Sequence, residues 1–190
     1  MAIIKEDVHR LDRLISDISD ASRLDAEMSR AEEAPVNIEA MLATLVNMRQ
    51  ATADSDAPRL RLEAGGKKKL LVNGVEGRLA QVFNNLIANA ISFSPPESEI
   101  TLKASAAGGW IIVNVDDQGT GIPEGKEEDI FNRFYTERPG SEKFGAHSGL
   151  GLSISKQIVE SHGGAITAET LIDGQENITG ARFTVRLPMG

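Results

Sequence analysis

Residues 81–90 read QVFNNLIANA and combine two stripes on one predicted helix. Apolar residues recur through 79–90 at the spacing of one helix face, so the sequence predicts a helix over about 75–92 that packs on a core. Beside that face lie three amides four residues apart: Gln81, Asn85 and Asn89. Asparagine is a poor residue for a helix interior, and an amide oxygen can coordinate Mg²⁺ that also holds phosphates and water. Taken alone, this segment supports a ligand-binding stripe and an ordinary solvated face equally well.

The segments around this helix predict the fold class. Helices and strands alternate along the chain, and several strands are paired as antiparallel hairpins, which indicates a two-layer α+β sandwich with helices packed on one face of the sheet. The predicted helices are 38–51 with Asn37 as its N-cap, 75–92, a short helix 124–131, and 150–161; the predicted strands are two short ones near residues 60–62 and 70–72, then 99–105, 110–115, 165–171 and 181–187.

Composition excludes several classes of function. The chain has 190 residues, a net charge of −8 and no cysteine. Disulfide scaffolds, thiolate zinc sites and cysteine nucleophiles are therefore ruled out. The acidic balance argues against a general nucleic-acid binder, which needs a basic face. No apolar run approaches the roughly 20 residues of a membrane span.

The first thirty residues differ from the rest. Apolar residues there follow a heptad seam, which predicts a helix over about residues 3–30: Ile4, Val8, Leu11, Ile15 and Ile18. Such a wide apolar face needs partners. We interpret the segment as a bundle helix whose partners are absent from this chain or belong to another copy. The alternative is a helix folded onto its own domain.

Two glycine-containing segments follow predicted strands or precede a predicted helix. In 116–123, DDQGTGIP, a carboxylate at the end of a strand can accept a hydrogen bond from an exocyclic amine such as that of adenine; a simple turn is the competing interpretation. In 148–152, SGLGL, small residues expose the N–H groups at the start of a helix, which suits a phosphate; close packing of helix on sheet is the alternative.

A polar loop over residues 135–148 lies between these features and follows the sequence FNRF at 131–134. Phe131 and Phe134 are one helical turn apart, so both are predicted to anchor the base of the loop in the core. Arg133 is either a phosphate contact or an ordinary surface arginine. His9, His147 and His162 show no metal-ligand spacing and are interpreted as surface or capping residues.

The order of these motifs resembles the catalytic ATP-binding domain of sensor histidine kinases, which has the Bergerat (GHKL) fold. Residues 81–90 look like the family's N box, 117–121 its G1 box, 130–135 its F box and 149–152 its G2 box. The resemblance covers about residues 36–188 and implies a catalytic domain over 36–190 with a lid at 135–148. Residues 1–33 are similar to the second helix of the family's dimerisation hairpin. Further details, such as the Asp-Ala-Ser-Arg-Leu-Asp run ending at Asp25, resemble the ChvG/ExoS branch of alphaproteobacterial sensors.

The resemblance implies roles for particular residues, with ATP and Mg²⁺ as the ligands. Asn89 would bind Mg²⁺, Asn85 would lie near the phosphates with a catalytic role shared by Arg133, and Asp117 would bind the adenine amine. The remaining nucleotide contacts would come from the matched boxes: Gly119, Gly121, Ile122, Phe134, Ser148, Gly149, Leu150, Gly151 and Leu152.

The chain departs from the family's pattern in three places. Ser92 and Phe93 stand where the family often has lysine and tyrosine, so Arg133, Arg138 or Lys143 would have to supply positive charge. His147 replaces the usual first glycine of the G2 box. No phosphoacceptor histidine motif is present: His9 is followed by Arg-Leu-Asp and lies on the wrong predicted helix. The resemblance therefore implies a chain that binds Mg-ATP but does not phosphorylate itself.

Two other classes remain open. ATPases of the Hsp90 and mismatch-repair type use a glutamate where this chain has Asn85, and an amide cannot act as a general base. A nucleotide-binding interaction module, or an anti-sigma serine kinase, is the third class. The sensor-kinase interpretation implies further partners, namely a phosphoacceptor hairpin, a response regulator and a second copy in a homodimer. It also implies that this chain is the cytoplasmic portion of an inner-membrane sensor whose membrane segments lie upstream.

Overall fold

The computed structural model describes residues 32–64, 69–135 and 149–190. The predicted helix over 3–30, Ser148, and the lid residues 136–148 fall outside these ranges. The described elements, in chain order, are β1 (Ala34–Asn37), α1 (Ile38–Ala51), β2 (Arg59–Ala64), β3 (Leu71–Gly74), α2 (Glu76–Phe93), β4 (Glu99–Ala107), β5 (Trp110–Asp116), a 3₁₀ turn (Asp129–Phe131), α3 (Gly151–Ser161), β6 (Ala165–Ile172) and β7 (Ile178–Pro188).

Five strands form one mixed sheet in the order β2-β4-β5-β7-β6. The β2–β4 pair is parallel and the other pairs are antiparallel, while β1 and β3 form a separate antiparallel pair. Alternate strand residues are buried against the helices, among them Leu102, Val115 and Phe183 in one cross-strand row. The predicted two-layer α+β sandwich is therefore confirmed. None of the helices in the described ranges is long and apolar enough to cross a bilayer.

Local sequence explains where the helices begin and which face they bury. Asn37 caps α1, because its Oδ1 accepts a hydrogen bond from the N–H of Ala40 at 3.2 Å. The apolar stripe of α2 is fully buried, as its spacing predicted: Leu79, Val82, Phe83, Leu86, Ile87 and Ala90. This burial fixes the rotation of α2 and leaves its amide stripe at the edge of the core.

The start of α2 is capped by a residue from α3. Val75 is the N-cap residue and has no side-chain acceptor of its own. Its N–H donates instead to Nε2 of the buried His162 at 3.1 Å, and Nδ1 of that ring lies 2.7 Å from the carbonyl oxygen of Ile158. Because a carbonyl only accepts and the N–H of Val75 only donates, these contacts fit a proton on Nδ1 and an accepting Nε2. His162 is thus a capping residue, but it caps a helix other than its own.

Two expectations about local structure are wrong, and one strand was not predicted. Residues 124–131 do not form a continuous helix, because Gly125 takes φ +75° and only Asp129–Phe131 closes a 3₁₀ turn. Phe131 is buried and meets Phe183 edge to face, but Phe134 is 60 % exposed, since the backbone reverses there at φ +66°. Strand β1 was not predicted; four residues containing a proline give too short a pattern.

Candidate functional site

Asn85 joins α2 to the first turn of α3. Its Nδ2 donates to the carbonyl oxygen of Gly151 at 3.1 Å and to Oγ of Ser155 at 3.4 Å. The Ser155 hydroxyl in turn donates to the same carbonyl at 2.8 Å and is fully buried. The N box and G2 box of the sequence are therefore in direct contact. Gln81, the first amide of the predicted stripe, is instead paired with Arg78 Nη1 at 2.9 Å on its own helix.

Asn89 lies one helical turn further along α2, about 6 Å from Asn85 along the axis. Its half-buried carboxamide makes no hydrogen bond with any of the residues that the structure describes. One more turn along, α2 comes close to the loop 117–122. A Cβ placed on Gly119 would lie 2.7 Å from the carbonyl oxygen of Phe93. Asn89 therefore lies between the start of α3 and the loop 117–122, with its polar atoms available to a ligand.

Asp117 is the buried carboxylate of this loop, with 4 % of its surface exposed. Its Oδ1 accepts hydrogen bonds from the N–H groups of Gly119 at 2.8 Å and Ala181 at 3.1 Å. Oδ2 has no hydrogen-bond partner within the described ranges. Burial raises the pKa of Asp117 above its usual 3.8; the two backbone hydrogen bonds partly oppose this, and the neighbouring Asp116 charge adds to it. One oxygen is thus fixed, and the other is left to accept from a ligand.

Asp116, one residue earlier, projects from the opposite side of the strand and has a different environment. Arg182 contacts both of its oxygens, at 2.6 and 2.8 Å, and Lys103 Nζ lies 3.2 Å from Oδ2. Burial raises the pKa of Asp116, but the hydrogen bonds and charges of Arg182 and Lys103 outweigh it, so that this pKa lies below 3.8. Asp116 is a structural ion-pair residue, and Asp117 is the one at the candidate site.

The loop after Asp117 is attached to β6 by Thr170. Its Oγ1 accepts from the N–H of Ile122 and donates to the carbonyl of Ile122, both at 2.9 Å. Ile122 is buried as a result, and Gly121 beside it takes φ +75°, which a residue with a side chain rarely adopts. Sequence reasoning missed Thr170, because a threonine in a predicted strand carries no signal of a partner 48 positions away.

The two ends of the segment 136–148 meet at Phe134 and Gly149. The N–H of Phe134 donates to the carbonyl of Gly149 at 3.0 Å. Gly149 takes φ +70°, and a Cβ on it would lie 2.8 Å from the carbonyl oxygen of Tyr135, so that only glycine fits this closure. Leu150 is buried, Leu152 is half-buried against the core, and Arg133 is exposed next to the closure.

The structure therefore brings four separated sequence segments to one place: the amide stripe of α2, the loop 117–122, the closure at 134 and 149, and the first turn of α3. Within the ranges described, no three His, Cys, Asp or Glu side chains lie together as a metal site. Mg²⁺ usually keeps several waters and takes one or two protein oxygens together with substrate phosphates. The free carboxamide of Asn89 fits a Mg²⁺ ion delivered with a nucleotide.

This fold and arrangement match a known family. The sequence profile of the histidine kinase-, DNA gyrase B- and HSP90-like ATPases matches residues 74–190, which include all four segments. The chain therefore belongs to this family of ATP-binding domains.

The chain is also similar to part of two longer sensor proteins. It is similar to the sensor protein ChvG of Agrobacterium fabrum (strain C58), with 48 % identity over 192 residues covering 98 % of this chain and 32 % of that protein. It is also similar to the sensor protein ChvG of Rhizobium meliloti (strain 1021), with 45 % identity over all of this chain and 34 % of that protein. The chain thus spans about a third of the length of these relatives.

A solved structure supports the same placement. The crystal structure of full-length ShkA in complex with AMPPNP is similar to this chain with a TM-score of 0.79 and 27 % identity, over 100 % of this chain and 38 % of that one. The predicted family and fold are confirmed by these comparisons.

Proposed function

We propose that this chain binds Mg-ATP between α2, the loop 117–122 and the start of α3, and that within a longer protein it provides the ATP for phosphorylation of a histidine. The observation that carries this proposal is the carboxylate of Asp117: it is buried, one oxygen is held by two backbone N–H groups, and the other is free to accept. The second oxygen of this carboxylate is left to accept from a ligand, and the exocyclic amine of adenine supplies a suitable donor. ShkA, whose structure is similar to this chain, was solved in complex with AMPPNP, and this supports nucleotide binding by the fold.

Each of the four segments then has a role. Asp117 selects adenine, while Gly119, Gly121 and Ile122 form the wall against the base. Asn89 holds Mg²⁺, which when bound neutralises charge on the phosphate oxygens. Asn85 lies near the phosphates and presents its amide oxygen, which suits the cation or its bound water. The phosphate contacts come from the first turn of α3 and the residues just before it, Ser148–Leu152, and Arg133 supplies positive charge beside the closure. Residues 135–148, with Phe134 at their base, act as the lid over the nucleotide.

The reaction needs positioning more than covalent help from the protein. A ring nitrogen of the acceptor histidine attacks the γ-phosphorus, the bond from that phosphorus to the β,γ-bridging oxygen breaks, and ADP leaves with the electron pair. The proton displaced from the imidazole passes to a base beside the acceptor. Residues 36–190 act as the catalytic domain, and residues 1–33 as part of a dimerisation hairpin whose acceptor helix comes from the rest of the protein.

ATP hydrolysis is the competing activity. It would require a general base for water at the position of Asn85, and the amide there has its nitrogen hydrogen-bonded to Gly151. An amide cannot take up the proton of water in this role. The phosphoacceptor hairpin, of the same or a partner protomer in a homodimer, and a response regulator are accordingly the macromolecular partners we propose. Because ATP is a cytoplasmic substrate, we place the domain on the cytoplasmic side of the sensor.

Calorimetric titration with ATP, with and without Mg²⁺, tests the proposal. The parent chain is expected to bind ATP more tightly with Mg²⁺ than without it. In Asn89→Ala this gain in affinity is expected to be at least tenfold smaller, because the amide oxygen proposed to hold the metal is removed. Asn84→Ala is the matched control: it changes the same residue type on the same helix, about 100° away from the Asn85 and Asn89 stripe.

A parent chain that binds no ATP would overturn the proposal, and unchanged Mg²⁺ dependence in Asn89→Ala would remove the metal role of Asn89. Transfer is tested separately by adding a phosphoacceptor hairpin in trans and assaying acid-labile phosphohistidine. Sustained ATP hydrolysis without that hairpin would favour the ATPase class instead.

A further inference from the structure

We infer that Ser155 is a positioning residue that fixes the orientation of the Asn85 carboxamide, so that the oxygen of that amide and not its nitrogen is presented to the nucleotide site. The inference deepens the proposed function and rests on it for the identity of the ligand. It concerns a buried serine on α3 whose only hydrogen bond to the side chain of another element, among the described residues, is with Asn85.

The orientation follows from the chemistry of the partners. The carbonyl of Gly151 can only accept, so the group of Asn85 that lies 3.1 Å away must be its NH₂. The Ser155 hydroxyl has given its hydrogen to the same carbonyl at 2.8 Å, so it too acts as an acceptor towards Asn85, at 3.4 Å. Turning the amide over would set oxygen against oxygen at both contacts.

The NH₂ group of Asn85 therefore faces α3 and two acceptors that lie 2.8 Å from each other. Its Oδ1 has no hydrogen-bond partner in the part of the chain that the structure describes. Together with the free carboxamide of Asn89 one turn away, the helix offers amide oxygens to its ligand. An amide oxygen suits a cation or its bound water, whereas a phosphate needs donors. Ser155 thus sets which kind of group Asn85 contributes.

Without Ser155 the amide would keep one anchor and could turn about its terminal bond. The carbonyl of Gly151 would then be the single acceptor that distinguishes the NH₂ of Asn85 from its oxygen. The hydroxyl of Ser155 is held by its own hydrogen bond and by full burial, so it cannot move away from Asn85. The carbonyl of Gly151 and the hydroxyl of Ser155 together hold the Asn85 carboxamide in one orientation.

Ser155→Ala is the direct test, and Ser153→Ala is its matched control. Ser153 lies on the same helix, is 6 % exposed, and donates to the carbonyl of Leu150 at 2.9 Å, but it does not contact Asn85. The measured quantity is the ratio of the ATP dissociation constants without and with Mg²⁺, in the 190-residue chain. We expect this ratio to fall three- to tenfold in Ser155→Ala, as for the loss of one hydrogen bond, and to stay within twofold of the parent in Ser153→Ala.

A second measurement is independent of nucleotide. In ¹⁵N–¹H spectra, the side-chain NH₂ of Asn85, assigned by its loss in Asn85→Ala, is expected to exchange slowly with solvent in the parent and in Ser153→Ala, and several-fold faster in Ser155→Ala. Should Ser155→Ala fail to fold, Ser155→Cys keeps the volume and replaces the hydroxyl by a thiol, a weak acceptor, and both measurements are repeated.

The outcomes separate the two proposals. If the parent binds no ATP, the proposed function fails, and the exchange of the Asn85 amide still decides whether Ser155 holds it. If the parent binds Mg-ATP but Ser155→Ala changes neither the ratio nor the exchange rate, the positioning role of Ser155 is refuted. Equal losses in Ser155→Ala and Ser153→Ala would also refute it, because they would reflect a general loosening of α3.

Discussion

The loop 117–122 is attached to the sheet through its own main chain, whereas α2 is joined to the start of α3 through one carboxamide. On the loop side, the N–H groups of Gly119 and Ala181 hold Asp117, and both backbone groups of Ile122 hold Thr170. On the α2 side, the hydrogen bonds to the start of α3 come from Asn85 Nδ2, and Asn89 makes none with the residues that the structure describes.

The difference indicates that the proposed adenine end is built before the nucleotide arrives, while the phosphate end is completed by it. Main-chain hydrogen bonds on both sides of a loop leave few alternative arrangements, so the base meets a preformed wall. A carboxamide without a partner gains its contacts only from the ligand. Substitutions at the two ends should therefore differ in kind, with selectivity changed at one and metal dependence at the other.

The largest effect is expected from Asp117→Asn. The asparagine oxygen can still accept from Gly119 and Ala181, but an NH₂ replaces the free oxygen and opposes the adenine amine. We expect ATP affinity to fall about 100-fold, as for the loss of a hydrogen bond to a charged group, with the preference shifted towards GTP. Calorimetry with both nucleotides measures this. Asp116→Asn removes the same charge one residue away and should leave affinity within twofold; equal losses in the two variants would contradict a specific role for Asp117.

A smaller effect is expected from Thr170→Val, which keeps the shape of the side chain and removes both hydrogen bonds to Ile122. The loss of two neutral hydrogen bonds should lower the free energy of unfolding by about 1–2 kcal/mol. Chemical denaturation measures it. Thr167→Val, at an exposed position of the same strand, should change stability by less than about 0.5 kcal/mol. If Thr170→Val were as mild as this control, the loop would not depend on its attachment to β6.

The smallest effect concerns pH. Because burial raises the pKa of Asp117, its ionised form destabilises the fold, fully at neutral pH and no longer below about pH 3.8. The stability of the parent relative to Asp117→Asn should therefore rise as the pH falls from 7 towards 4. Asp116 has a lowered pKa, so the advantage of the parent over Asp116→Asn should persist to pH 4 and decline below it. Unfolding curves at each pH check both signs; parallel trends in the two variants would contradict the opposite environments of the two carboxylates.

Much of the fold could be predicted from the sequence because its signals are local. The stripe of α2, the Asn37 cap and the hairpin of β4 and β5 each follow from residues within one turn or one strand pair. The prediction of a helix over 124–131 was wrong for a local reason as well. Gly125 takes a positive φ, which interrupts a helix and could not be predicted from the neighbouring residues. Phe134 failed because helical spacing was assumed across a backbone reversal.

The candidate site was predicted only in part, because its assembly is not local. Asn85, Asn89, Asp117 and Gly149 could be proposed from motif order, but their partners could not. Ser155 lies 70 positions from Asn85, and Ala181 lies 64 from Asp117. A serine or an alanine so far along the sequence carries no signal that it contacts the site. These contacts could therefore be identified only from the packed structure, where α3 and β7 place Ser155 and Ala181 beside the site residues.

The cross-fold cap by His162 has a consequence for how this domain is made and dissected. The acceptor for the N–H of Val75 is added to the growing polypeptide 87 positions later. The helix that carries Asn85 and Asn89 thus receives its N-terminal acceptor only once translation has passed position 162. Any split or shortened version that stops before that position also leaves this helix end uncapped, even though it retains every asparagine of the motif.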